Sequence, residues 1–237
     1  MSISLGKLKT EYLSAKKILK LLEMDYKENL EKSQSLLNSD FSQEFKSASL
    51  KRDYFTCYKV ARDNQDYTLL LKDFSFFQFG YTPNAQNQVK ELRYSYYETP
   101  STVESYEEFL DNMGFTIDEA GNYFFEEYQQ FVSESQLKNH VTSIRYDFNI
   151  EQGKELVHPV SHLHIGQEND VRIPMSFIMT PQTFVAFVIR HCYWVQWKEK
   201  IQDPAIFESY LKIHNNNHAL ASPFFTQNER KDMHFSF

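Results

Sequence analysis

The chain is short of cysteine, glycine, proline and positive charge, and each shortage excludes something. Of its 237 residues only two are cysteine, six glycine and seven proline. Cys57 and Cys192 stand far apart and match no disulfide framework or metal-ligand spacing. A reducing cytoplasm is therefore the expected compartment. Low glycine and proline, set against 21 Phe and 15 Tyr, excludes a disordered or low-complexity chain. Long apolar runs are missing too. The longest, Phe184 to Ile189, is too short to span a bilayer. The opening MSISLGKLKTEYLSAKKILK has no apolar core of signal-peptide length, so no membrane role is expected. Lys and Arg number 25 against 32 Asp and Glu, a net charge of −7. That argues against a protein that coats duplex nucleic acid, though not against a local basic patch. No glycine-rich dinucleotide or phosphate loop, nucleophile elbow or H-E-x-x-H motif occurs.

What is present reads as an α+β protein. Leu5, Leu8, Tyr12, Ala15, Leu19, Leu22 and Tyr26 recur at steps of three and four and predict a long N-terminal helix. The stripe suits either the protein's own core or a seam to a partner. Residues 33–50 are Ser-rich and read as a loop or short helix, and from Asp53 the pattern turns to β. This divides the chain into an N-terminal helical segment, 1–50, and an α+β body, 51–237. Strands are expected at 66–79, 88–98, 141–150, 156–165 and 171–178, in a mainly antiparallel sheet with helices packed on it. Ser101–Glu104 has the form of a capping box opening a helix that ends near Gly114, and a second helix is expected over 124–137. Thr180-Pro181 is a helix start, and the following residues to 201 are apolar nearly all round, which predicts the most buried helix. Asp203-Pro204 opens a last helix to about Ile213.

The chemistry-bearing segment is His158-Pro159-Val160-Ser161-His162-Leu163-His164-Ile165-Gly166. On a strand, His162 and His164 point to one face and Leu163 and Ile165 to the other. The preceding strand places Arg145, Asp147 and Asn149 on one face by the same period, and Arg172 could join from the next. These residue types suit phosphodiester cleavage without a metal. One imidazole takes the 2′-hydroxyl proton and another gives one to the leaving oxygen. An arginine stabilises the phosphorane, and an aspartate orients an imidazole. The candidate catalytic set is His158, His162, His164, Arg145, Asp147 and Arg172. No cofactor is expected on this reading. A divalent metal on the histidines with a carboxylate is the alternative, and structural hydrogen bonding is the third reading. His162-x-His164-x₃-Glu168 matches the first part of the cupin metal motif, but the motif's glycines and later histidine are missing.

The order Arg145-Tyr146-Asp147, His158 to Gly166, Arg172-Ile173-Pro174 and Thr180 to Phe184 resembles a bacterial family known only as a domain of unknown function. An Arg-Tyr-Asp strand followed by a histidine-rich strand is also similar, more distantly, to toxin components of toxin–antitoxin pairs. The resemblance implies a component of a toxin–antitoxin or antiviral defence system. One form is an RNase-like effector with RNA as its partner. The other is a non-enzymatic subunit that binds a protein, whether a complex subunit, an antitoxin or a second copy.

Overall fold

The computed structural model describes residues 3–51, 53–101, 106–134, 138, 140–167, 170–215 and 218–233. In chain order they form α1 (Leu5–Leu21), β1 (Tyr26–Glu28), α2 (Leu30–Ser35), a 3-10 turn (Asn38–Asp40), α3 (Gln43–Ser49), α4 (Tyr54–Asp63), β2 (Leu69–Leu71), β3 (Phe76–Pro83) and β4 (Val89–Tyr97). After α5 (Tyr106–Asn112), α6 (Ile117–Ala120) and α7 (Phe125–Glu134) come four more strands, β5 (Ser143–Asn149), β6 (Ser161–Ile165), β7 (Ile173–Pro174) and β8 (Phe177–Ile178). The chain closes with α8 (Pro181–Cys192), α9 (Trp194–Lys200), α10 (Pro204–Asn215), β9 (His218–Ala219) and α11 (Gln227–Met233). Strands β1 to β7 make one antiparallel meander in sequence order, and β8 pairs with β9.

The α+β class and the long N-terminal helix are as the sequence indicates. Alternation gives the sheet two faces. Phe77, Phe79, Leu92, Tyr94, Tyr96, Ile144, Tyr146 and Leu163 lie in the main core with α1 and α8. Leu8, Tyr12, Ala15, Leu19 and Leu22 of the α1 stripe are buried in that same core, so the stripe faces its own protein. On the opposite face α3 and α4 cover one end of the sheet, where Phe45, Tyr54, Cys57, Tyr58 and Ala61 meet Phe76 and Tyr97. The rest of that face, toward β5 and β6, is polar. No described helix is long and apolar enough to cross a membrane.

Several elements differ from expectation. The α1 helix stops at Leu21, and Tyr26 starts β1. The stretch after Asp53 is helix, not strand. Asp53 accepts from the Phe55 and Thr56 amides as N-cap, and Tyr54, Cys57, Tyr58 and Ala61 recur at helical spacing on the buried side. The single strand expected at 66–79 is two strands joined at residues 72–75. There Asp73 accepts from the Ser75 amide at 2.9 Å and Phe74 adopts φ +64°. Phenylalanine is uncommon in that region. Here Tyr58 donates to the Phe74 carbonyl at 2.8 Å, and the Arg62 guanidinium lies 4.8 Å from the Phe74 ring. Lys72, Asp73 and Ser75, between the apolar stretches 69–71 and 76–77, are the local mark of this turn.

The helix expected to 201 breaks at Tyr193, whose hydroxyl donates to Asp73 at 2.8 Å and accepts from Tyr96 at 3.1 Å. Before the break Phe184 and Val188 are fully buried; after it Trp194 and Val195 are 56% and 62% exposed. Within the proposed 101–104 capping box, residues 102–104 lie outside the described residues, as do 135–137 of the second expected helix and Glu168 of the histidine motif.

Candidate functional site

Strands β5 and β6 build the site by register. Asp147 pairs with His162 and Arg145 with His164, so all four side chains leave the same face of adjacent strands. Core residues clamp this register from behind. Tyr146 and Leu163, the intervening pair, are buried on the other face. A one-residue slip would turn the histidines into the core, which fixes the pairing strongly.

The site is a line of charge and imidazole. The His162 Nε2 lies 3.0 Å from the His164 Nε2, and the latter lies 3.3 Å from Asp147 Oδ2. Arg145 Nε donates to that same oxygen at 2.9 Å. Arg93, on β4 opposite Asp147, reaches Oδ1 at 3.3 Å without hydrogen-bond alignment, and also pairs with Glu91 at 3.1 Å. Both histidines are buried, His162 almost completely. The His162 Nδ1 lies 2.7 Å from the Pro159 carbonyl oxygen. A carbonyl only accepts, so Nδ1 carries the proton and the Nε2 lone pair of the neutral ring faces His164.

Electrostatics follow from this packing. Burial pulls the Asp147 carboxyl up. The His164 hydrogen bond and the Arg145 and Arg93 charges outweigh burial and hold the group well below the usual carboxylate range. Burial pushes His162 down to about 4, against the opposing pull of Asp147. At ordinary pH Asp147 is therefore ionised and His162 neutral.

All six residues expected from sequence fall at one end of this face, in three different situations. Asp147, His162 and His164 converge, with one ligand-type atom from each lying within 4.8 Å of the others. His158 is half-buried and sets its ring edge-on to His162 at 4.9 Å, and its buried Nδ1 has no hydrogen-bond partner among the described residues. Arg172 is exposed and stands just before β7, where it donates to the Asp170 carbonyl at 3.4 Å. It lines a cavity of about 270 Å³ together with Arg145, His164, Ser95, Gly166 and Asp170. Sequence reasoning missed Arg93. Its signal was present, since Glu91, Arg93 and Ser95 alternate along β4, but nothing local says which strand lies beside it.

The chain belongs to the family described as uncharacterized conserved protein (DUF2290), whose family model matches residues 22–237. No curated protein and no solved structure matches it.

Proposed function

We propose that this member of the DUF2290 family is an effector that cleaves RNA phosphodiester bonds, acting in a toxin–antitoxin or antiviral defence system. The observation that supports this reading is that Arg145, Arg172 and His164 line one cavity, with the ionised Asp147 behind His164. Two guanidinium groups suit a phosphate, which they hold by paired donors. In the reaction the 2′-hydroxyl loses its proton to the Asp147–His164–His162 site, and its oxygen attacks phosphorus. The bond to the 5′ oxygen breaks, and that oxygen takes up a proton. The products are a 2′,3′-cyclic phosphate and a 5′-hydroxyl. Arg145 and Arg172 stabilise the charge that develops on the non-bridging oxygens. With a net charge of −7, an RNA contact needs a local cationic patch, and Arg145 and Arg172 supply one.

The test is end-group analysis of RNA incubated with the purified chain, with divalent ions supplied. Cyclic-phosphate ends are expected, and Arg145→Ala with Arg172→Ala should lower kcat/KM by about 10²–10³ for each lost contact to the developing charge. Intact RNA at stoichiometric protein, or full cleavage by the double variant, would sink the proposal.

A second reading, a non-enzymatic protein-binding subunit, is favoured by one observation. Residues 106–134 carry eight acidic and no basic residues. They also expose Tyr123, Phe115, Phe125 and Phe131. An acidic surface with exposed aromatics suits a cationic protein partner. Growth arrest that survives the double arginine variant would put this second reading ahead.

A further inference from the structure

We infer that Asp147, His162 and His164 form a three-ligand site for a first-row divalent metal ion. The inference rests on the geometry of those side chains. Its catalytic consequence rests on the RNA-cleaving reading above.

The first argument is spacing. Metal–nitrogen and metal–carboxylate bonds of about 2.0–2.2 Å place neighbouring ligand atoms roughly 2.9–3.4 Å apart for angles between octahedral and tetrahedral. The His162 Nε2–His164 Nε2 and His164 Nε2–Asp147 Oδ2 separations are 3.0 and 3.3 Å. All three atoms lie within one 4.8 Å cluster.

The second argument is hydrogen accounting. The His162 Nε2 presents a lone pair, because its Nδ1 proton goes to the Pro159 carbonyl. The His164 Nε2 faces that lone pair on one side and the carboxylate on the other. A single N–H cannot serve two acceptors well. A cation at the convergence point satisfies all three atoms together, with each giving a lone pair. Asp147 Oδ1 and His158 Nδ1 are further buried atoms with no hydrogen-bond partner among the described residues. Such orphans call for an explanation, and a metal-bound water is within the chemistry of both.

The third argument is the outer shell. A ligating histidine usually donates its other ring proton to a carbonyl or carboxylate, and ligating carboxylates are themselves hydrogen-bonded. His162 does the first through Pro159, and Asp147 does the second through Arg145. Two histidines and one carboxylate leave further coordination positions open, as catalytic rather than structural sites do.

The same distances rule out the simplest metal-free mechanism. At 3.0 Å the two imidazoles leave no room for a phosphate between them, so they cannot act as base and acid on opposite sides of it. A metal-bound hydroxide can take the 2′-hydroxyl proton instead. The water so formed returns a proton to the departing 5′ oxygen. Arg145 and Arg93 place two positive charges against Asp147, which weakens ion binding relative to the same ligands alone. That makes Arg93 informative. It is not a ligand, its side chain is 55% exposed, and neutralising it should tighten the site.

The experiment uses the full chain, stripped with EDTA and dialysed against zinc, manganese or cobalt(II), with bound metal counted by mass spectrometry. One ion per chain is expected, with visible d–d absorption for cobalt and a raised melting temperature for the loaded protein. Asp147→Asn, His162→Gln and His164→Gln should each weaken binding about a hundredfold or more, since even outer-shell losses cost 10–100-fold. Arg93→Gln should strengthen it several-fold, and this exposed change keeps the test valid if a ligand variant fails to fold. No stoichiometric ion on the wild-type chain overturns the inference, and so does unchanged binding in folded His162→Gln. An ion bound with no RNA cleaved leaves the metal site standing and removes the RNA proposal. RNA cleaved at full rate by the ion-free chain keeps the RNA proposal and overturns the metal's part in the reaction.

Discussion

Two buried tyrosines give a paired test of the packing behind the site. Tyr94 and Tyr146 are both fully buried, with ring centroids 5.4 Å apart on adjacent strands. Their hydroxyls differ. The Tyr146 oxygen accepts from the Met179 amide at 3.0 Å and pairs with Ser161 Oγ at 3.0 Å. Ser161 Oγ donates onward to the Phe177 carbonyl at 2.7 Å, so Tyr146 donates to Ser161. The Tyr94 hydroxyl is buried with no hydrogen-bond partner among the described residues. Changing either to phenylalanine keeps the ring and makes no cavity of consequence. Tyr146→Phe strands the Met179 N–H, which costs about 1–3 kcal/mol. Tyr94→Phe removes a hydroxyl that is already desolvated and unpaired, and so should stabilise by about 1 kcal/mol. In a chain of this length each kcal/mol moves Tm by about 2–4 °C. Tyr146→Phe should therefore melt about 2–12 °C lower than the wild type, and Tyr94→Phe a few degrees higher. Urea titrations with unchanged slopes would confirm that the folded state is the one affected. Equal destabilisation by the two variants would refute the reasoning.

Three further outcomes are expected. Replacing Leu19 and Leu22 with Glu should destabilise the chain by about 3–5 kcal/mol, because the buried stripe has no partner for a charge. A folded variant that only loses self-association by light scattering would show the stripe to be a seam instead. Burial pushes the Cys192 thiol up to about 12, so at pH 8 only on the order of one molecule in ten thousand carries the thiolate. Cys57 is also raised by burial. Iodoacetamide should label neither in the native protein, and both in urea. Asp66 is fully buried and accepts from Lys32 Nζ at 3.2 Å and from the Ser42 amide at 2.9 Å. Asp66→Ala should cost about 3–5 kcal/mol by leaving Lys32 without a counter-charge and the Ser42 amide without its acceptor, read by thermal melting, and a loss below 1 kcal/mol would contradict the assigned pairing.

The sequence by itself determined the elements whose pattern is local. Period-two alternation in residues 143–149 and 161–165 put Arg145 and Asp147 on one face of a strand and His162 and His164 on one face of another. Thr180-Pro181 marked the start of the buried helix, and steps of three and four marked α1. Each is a property of one segment and its own repeat. What required the tertiary structure was everything set by partners distant in the chain. The turn at 72–75 carries a local mark in Lys72, Asp73 and Ser75, but Phe74 is held at its positive φ by Arg62 and Tyr58 of α4, which no local pattern shows. The break at Tyr193 depends on a hydroxyl reaching Asp73, 120 residues earlier. The strand β4 supplies Arg93 to Asp147 only because those two strands are neighbours, which period alone does not say. Most of all, two histidines on one face could have stood on either side of a substrate. The β5–β6 register and the Pro159 carbonyl aim them at each other and at Asp147 instead. Side-chain direction is a consequence of backbone period, but convergence on a point is a consequence of which strand pairs with which.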